Sequence, residues 1–92
     1  MLTIYSKNNC GYCMQAKTMC KTHDIPFEEI NIEDDADAYN FIIGEGHRTM
    51  PQVYINGECL EGGYTGMKAI GPEDLKILVE KNTVDTSTLG SI

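Results

Sequence analysis

Cys10-Gly11-Tyr12-Cys13 constrain this chain more than any other stretch, because they stand where two kinds of local structure meet. Leu2-Thr3-Ile4-Tyr5 alternates and is β-prone, and the polar turn Ser6-Lys7-Asn8-Asn9 follows it. Met14 to Lys21 has helical composition. The first cysteine therefore lies at the amino end of a helix, where unpaired N–H groups and the macrodipole favour a thiolate. The second lies one turn further in, within disulfide reach of the first. This is a layout for reversible thiol–disulfide chemistry. Cys10 reads as the nucleophile, with Lys7 adding positive charge beside it, and Cys13 as the group that resolves the mixed disulfide.

Asp24-Ile25-Pro26 breaks the first helix, and Phe27 to Ile32 reads as a second strand. Glu33-Asp34-Asp35 supplies acidic residues for the start of a helix over residues 36–43, whose apolar stripe stops at Gly44. His47 to Pro51 is a loop, Gln52 to Ile55 a third strand, Asn56-Gly57 a hairpin turn and Glu58 to Glu61 the returning strand. Gly62-Gly63 closes that strand, and Tyr64-Thr65-Gly66 leads into a short helical piece from Met67 to Ile70. Pro72 suits the first turn of a last helix through Lys81. The order predicts an α/β fold of thioredoxin-like arrangement: a four-stranded mixed sheet, parallel at its βαβ start and antiparallel at its hairpin end, with helices on both faces. One domain is expected over residues 1–82, followed by a loosely ordered tail over 83–92.

Composition narrows the function. Hydrophobic residues at 41% and charged residues at 23% fit a globular chain. A formal charge of −7 repels phosphate and anionic lipid, which argues against nucleic acid and membrane partners. No stretch reads as a signal peptide or a bilayer span, so the expected location is the cytoplasm. In that setting four cysteines point to redox or metal chemistry rather than to structural disulfides.

Cys10, Cys13, Cys20 and His23 carry spacings that suggest zinc. On a helix, however, Cys20 lies roughly 10 Å along the axis from Cys13, at about 1.5 Å per residue. One tetrahedral ion does not reach both. Cys20 reads instead as a small apolar residue on the inward face with Cys13 and Ala16, and His23 as a polar residue near the helix end.

Lys7-x-x-Cys10-Gly11-Tyr12-Cys13, Arg48-Thr49-Met50-Pro51 and Gly62-Gly63-Tyr64-Thr65, in that order, resemble the glutaredoxin family over roughly residues 1 to 81. The resemblance implies a dithiol oxidoreductase that takes electrons from glutathione, works as a monomer, and reduces protein disulfides and glutathionylated proteins. It also implies a glutathione site. Lys7 would meet the glycine carboxylate, Tyr12 would pack beside the peptide, and the backbone of Met50 would bond it. Thr49 and a cis Pro51 shape that loop, with a trans proline opening the strand as the alternative. Gly63 and Tyr64 bring up the helix end at which Thr65 and Gly66 receive the γ-glutamyl carboxylate. Arg48 either replaces a basic or amide residue that the family carries on its second helix or is a solvated charge.

Two positions depart from the family pattern: Gly11 stands where Pro is usual, and Gly66 where Asp is common. A small residue at position 11 opens a second reading, a protein holding a [2Fe-2S] cluster between two copies through the first cysteine and glutathione. A third is a redoxin recharged by thioredoxin reductase and serving ribonucleotide reductase, against which Gly62-Gly63-Tyr64-Thr65 argues. Cys59 reads as a strand residue, with glutathionylation or an intermolecular disulfide as the alternative.

Overall fold

The structure, a computed structural model, describes residues 1–80. Its elements run β1 (Leu2–Ser6), α1 (Gly11–Thr22), β2 (Phe27–Asn31), α2 (Ala36–Gly44), β3 (Gln52–Ile55), β4 (Glu58–Leu60) and α3 (Gly63–Ile70). A last helix, α4, is described over residues 72–80. The expected domain end at residue 82, the helix end at Lys81 and the tail over 83–92 lie outside the described residues.

The sheet order is β2-β1-β3-β4. β1 pairs parallel with β2, and antiparallel pairing joins β1 to β3 and β3 to β4, so the expected mixed sheet is present. Alternation along the strands divides the core in two. Leu2, Ile4 and Val53 face one side and pack with Ala16 and Cys20 of α1, Met67 of α3, and Leu75 and Val79 of α4. Tyr5 and Tyr54 face the other, against Ala38 and Ile42 of α2. Each fully buried Leu or Ile contributes about 1.5–3 kcal/mol. No described helix is long and apolar enough to cross a membrane.

Local chemistry sets the ends of the elements. Asn56 and Gly57 both take positive φ, the two-residue turn whose twist matches a hairpin. Asp35 caps α2 by accepting the Ala38 N–H at 3.1 Å. α2 runs through Gly44, one residue beyond expectation, and the chain turns at Gly46, whose φ is +88°. There the His47 N–H reaches back to Ile42 O at 3.1 Å and the Gly46 N–H to Ile43 O at 3.0 Å, a Schellman closure that fixes His47. β2 ends at Asn31 rather than Ile32, although the Ile32 N–H still bonds Ser6 O at 2.9 Å. β4 likewise stops at Leu60, short of Glu61.

α3 is the largest correction. It begins at Gly63, four residues before the expected Met67, because the glycine pair does not close the strand but opens the helix. Gly62 at φ +89° is its N-cap, and Gly63 at φ +54° its first residue, backbone that side-chain-bearing residues rarely adopt.

Candidate active site

α1 begins at Gly11 with Cys10 as its N-cap in extended backbone. The Cys10 sulfur accepts the Cys13 N–H at 3.2 Å, and Cys10 O accepts the Met14 N–H at 3.2 Å. No acidic residue occupies the first turn of α1. Positive helix-end potential therefore falls on this sulfur, and it stabilises the thiolate once the bond is reduced. Cys10 and Cys13 form a disulfide with a Cα–Cα distance of 5.2 Å. Cys10 is half-buried whereas Cys13 is 1% exposed, so an incoming thiol or disulfide reaches the first sulfur and not the second. That asymmetry is what the expected division into nucleophile and resolving group requires.

Met50 O lies 3.6 Å from the Cys10 sulfur. The Met50–Pro51 peptide is cis, as the resemblance implied, and β3 starts only at Gln52, which leaves Met50 outside the sheet. The Gln52 side-chain amide donates to Thr49 O at 2.7 Å and ties the loop down. Pro51 in turn abuts Gly63: a Cβ there would sit 2.5 Å from Pro51 O. In this way the glycine pair brings the start of α3 onto the loop beside Cys10.

A groove of about 820 Å³ runs along this junction. Lys7, Tyr12, Arg48, Thr49, Met50, Pro51, Gly63, Tyr64 and Thr65 all border it, so most of the residues chosen from sequence converge. Tyr12 is 63% exposed and its ring stacks on Tyr64 at 6.1 Å between centroids. Lys7 and Arg48 also border a second groove of about 790 Å³ on the α2 side, with Glu33 and Asp34 across it.

Gly66 corrects the expectation for that position. It does not border the groove, and its N–H is donated to Gly62 O at 3.2 Å within α3. A Cβ on Gly66 would run into Glu61 O, so the missing Asp is a steric requirement of this turn. The free donors at this helix end belong to Gly63, Tyr64 and Thr65.

Cys20 is buried in the core, where desolvation pushes its thiol up to about 11, and His23 is the exposed C-cap of α1. Sequence reasoning missed His47, Tyr54 and Gln52. The hairpin register that pairs Tyr54 with Cys59 was the available signal.

The Glutaredoxin family model matches residues 2–60 of the chain. The chain belongs to the glutaredoxin family. A Lactococcus lactis subsp. lactis protein named "Glutaredoxin-like protein NrdH" is 40% identical to this glutaredoxin over 53 residues, 58% of this chain and 74% of that one. Glutaredoxin 3 of Escherichia coli is 32% identical over 60 residues, 64% of this chain and 72% of that one. In fold, this glutaredoxin resembles buckwheat glutaredoxin, solved as a glutathione complex, with a TM-score of 0.72 at 24% identity over 87% of this chain and 76% of that one. A family of this kind performs thiol–disulfide exchange, which is what the Cys10–Cys13 pair is built for.

A [2Fe-2S] cluster takes four protein-type donors. Among the described residues no three of His, Cys, Asp and Glu are grouped to hold a metal, and Cys13 and Cys20 are buried. One copy alone therefore does not supply four donors; a cluster shared between two copies would draw one thiolate, that of Cys10, from each and the other two from glutathione.

Proposed function

We propose that this glutaredoxin is a cytoplasmic, glutathione-dependent dithiol oxidoreductase that reduces protein disulfides and glutathionyl mixed disulfides. The observation that carries the reading is the polarity of the groove beside Cys10. Its lining joins the cations Lys7 and Arg48 to the free N–H groups at the start of α3, with Glu61 as the one anion among the lining residues. An extended peptide with a carboxylate at each end matches both. Glutathione is such a peptide, and the buckwheat relative was solved with it.

In the reductive half, the Cys10 thiolate attacks one sulfur of R–S–S–R′, forming Cys10–S–S–R and releasing R′–S⁻. The Cys13 thiol loses its proton and attacks the Cys10 sulfur, closing the disulfide and releasing R–S⁻. Two glutathione molecules then reopen it: the first forms a mixed disulfide on Cys10, and the second leaves with the first as glutathione disulfide. Glutaredoxin potentials of about −200 to −230 mV lie near the glutathione pool, so the exchange runs in either direction.

A second reading, a redoxin recharged by thioredoxin reductase, is favoured by the 40% identity to the NrdH protein and by the absence of a side chain at Gly66. Ribonucleotide reductase would then be among its partners. NADPH-coupled turnover of a small mixed disulfide decides between them. Turnover with glutathione plus glutathione reductase, and none with thioredoxin reductase alone, is the expected result; the reverse would overturn the glutathione reading.

A further inference from the structure

Besides the Cys10–Cys13 couple, the described residues hold another nucleophile beside a base. The hairpin register sets Tyr54 of β3 directly opposite Cys59 of β4, so both side chains leave the same face of the sheet. His47 descends on that pair from the Schellman closure of α2. Its Nε2 lies 2.9 Å from the Tyr54 hydroxyl and 3.7 Å from the Cys59 sulfur. The alternative partner of that thiol is Leu60 O, at 3.9 Å. Cys59 is free and exposed, and it shares with His47 the groove that reaches Lys7, Tyr12 and Met50. Tyr54 is 6% exposed; burial first, then the Cys59 charge, push its phenol up to about 12, so it remains a donor.

We propose that Cys59 is a second reactive thiol of this groove, with His47 as its base, and that it forms a mixed disulfide with low-molecular-weight disulfides. With the proton of the neutral ring on Nδ1, Nε2 is the acceptor that both Tyr54 and Cys59 face. The Cys59 proton passes to Nε2, and the thiolate attacks one sulfur of R–S–S–R. The S–S bond of the reagent breaks, Cys59–S–S–R forms, and the departing R–S⁻ takes the proton back from His47. The Cys59 sulfur is oxidised as the departing one is reduced, so the disulfide itself is the oxidant. Tyr54 is a positioning residue: its hydroxyl holds the ring and turns to the thiolate once Nε2 is protonated. An adduct on Cys59 stands in the groove beside Cys10, so small oxidised thiols would block the site they also serve. The proposal is independent of which donor recharges Cys10.

The test uses the whole chain with the Cys10–Cys13 disulfide closed, incubated separately with glutathione disulfide and with 2-hydroxyethyl disulfide, and read by intact mass and peptide mapping. A single adduct on Cys59, with Cys20 unmodified, is expected with at least one reagent. His47→Gln should slow it about tenfold or more, the scale of a hydrogen bond to an ion, and Tyr54→Phe by less. His47→Asn replaces the glutamine variant if thermal melts show the latter unfolded. No adduct on Cys59 with either reagent, or a wild-type rate in a folded His47 variant, overturns the proposal.

Discussion

The carbonyl oxygen of Pro51 stands 2.5 Å from where a Cβ on Gly63 would sit. The loop beside Cys10 and the first residue of α3 thus approach closely at the backbone, and that approach requires position 63 to have no side chain. Gly63→Ala adds a clash and a side chain at φ +54°. A loss of about 1–3 kcal/mol is expected, together with a fall in turnover. Chemical denaturation and a coupled reductase assay on the same preparation check it; a fully stable variant with normal turnover would contradict the contact.

Gly66→Asp should not convert this protein into a better glutathione binder. The new Cβ would meet Glu61 O, so the turn between β4 and α3 must move. A lower melting temperature with no improvement in KM for a glutathionyl substrate is expected. A lower KM at unchanged melting temperature would show that the turn yields freely.

The two active-site cysteines should separate by substrate. Cys10→Ala removes the accessible sulfur and abolishes both activities. Cys13→Ser removes only the resolving step, so it stops reduction of protein disulfides while sparing removal of glutathione from a glutathionylated substrate. Rates on the two substrate types measure this, and equal loss on both from Cys13→Ser would refute it.

Glu29 ties β2 to α1 and β1. Its carboxylate accepts from Lys17 at 2.8 Å and from the Ser6 hydroxyl at 2.7 Å. The Lys17 bond first, then that of Ser6, holds the carboxyl below its ordinary value. A lowered folded-state pKa contributes stability above the unfolded pKa and loses it as pH falls through the folded one. With the Glu29 side chain 33% exposed, Glu29→Gln should cost only about 1 kcal/mol at neutral pH. That difference should shrink as pH falls below the ordinary glutamate range. Urea denaturation at neutral and acidic pH tests the sign.

Much of this fold could be read from local pattern because its signals are local. The alternation of Leu2 to Tyr5, the Asn56-Gly57 turn and Asp35 before α2 each act within a few residues. The place of Cys10 at the start of α1 was legible for the same reason, since the change from strand to helix is written in the residues on either side of it. The start of α3 was not: Gly62 and Gly63 carry no helical signal, and their backbone is set by Pro51 across the fold. The displacement of Gly66 from the groove likewise depends on Glu61 O, a contact no side-chain pattern announces. The cluster of His47, Tyr54 and Cys59 joins a helix cap to a cross-strand pair, and neither half alone suggests a site.

Cys10 is at once half of the disulfide and the cap of α1. A thiolate is a stronger hydrogen-bond acceptor for the Cys13 N–H than a disulfide sulfur, so reduction strengthens this cap, whereas oxidation trades part of it for a covalent bridge across the same turn. Fraying of that helix end and electron affinity of the couple are therefore linked quantities. A substitution that loosens the turn also makes the reduced state less favourable, and amide exchange at Cys13 would follow redox poise without any assay of turnover.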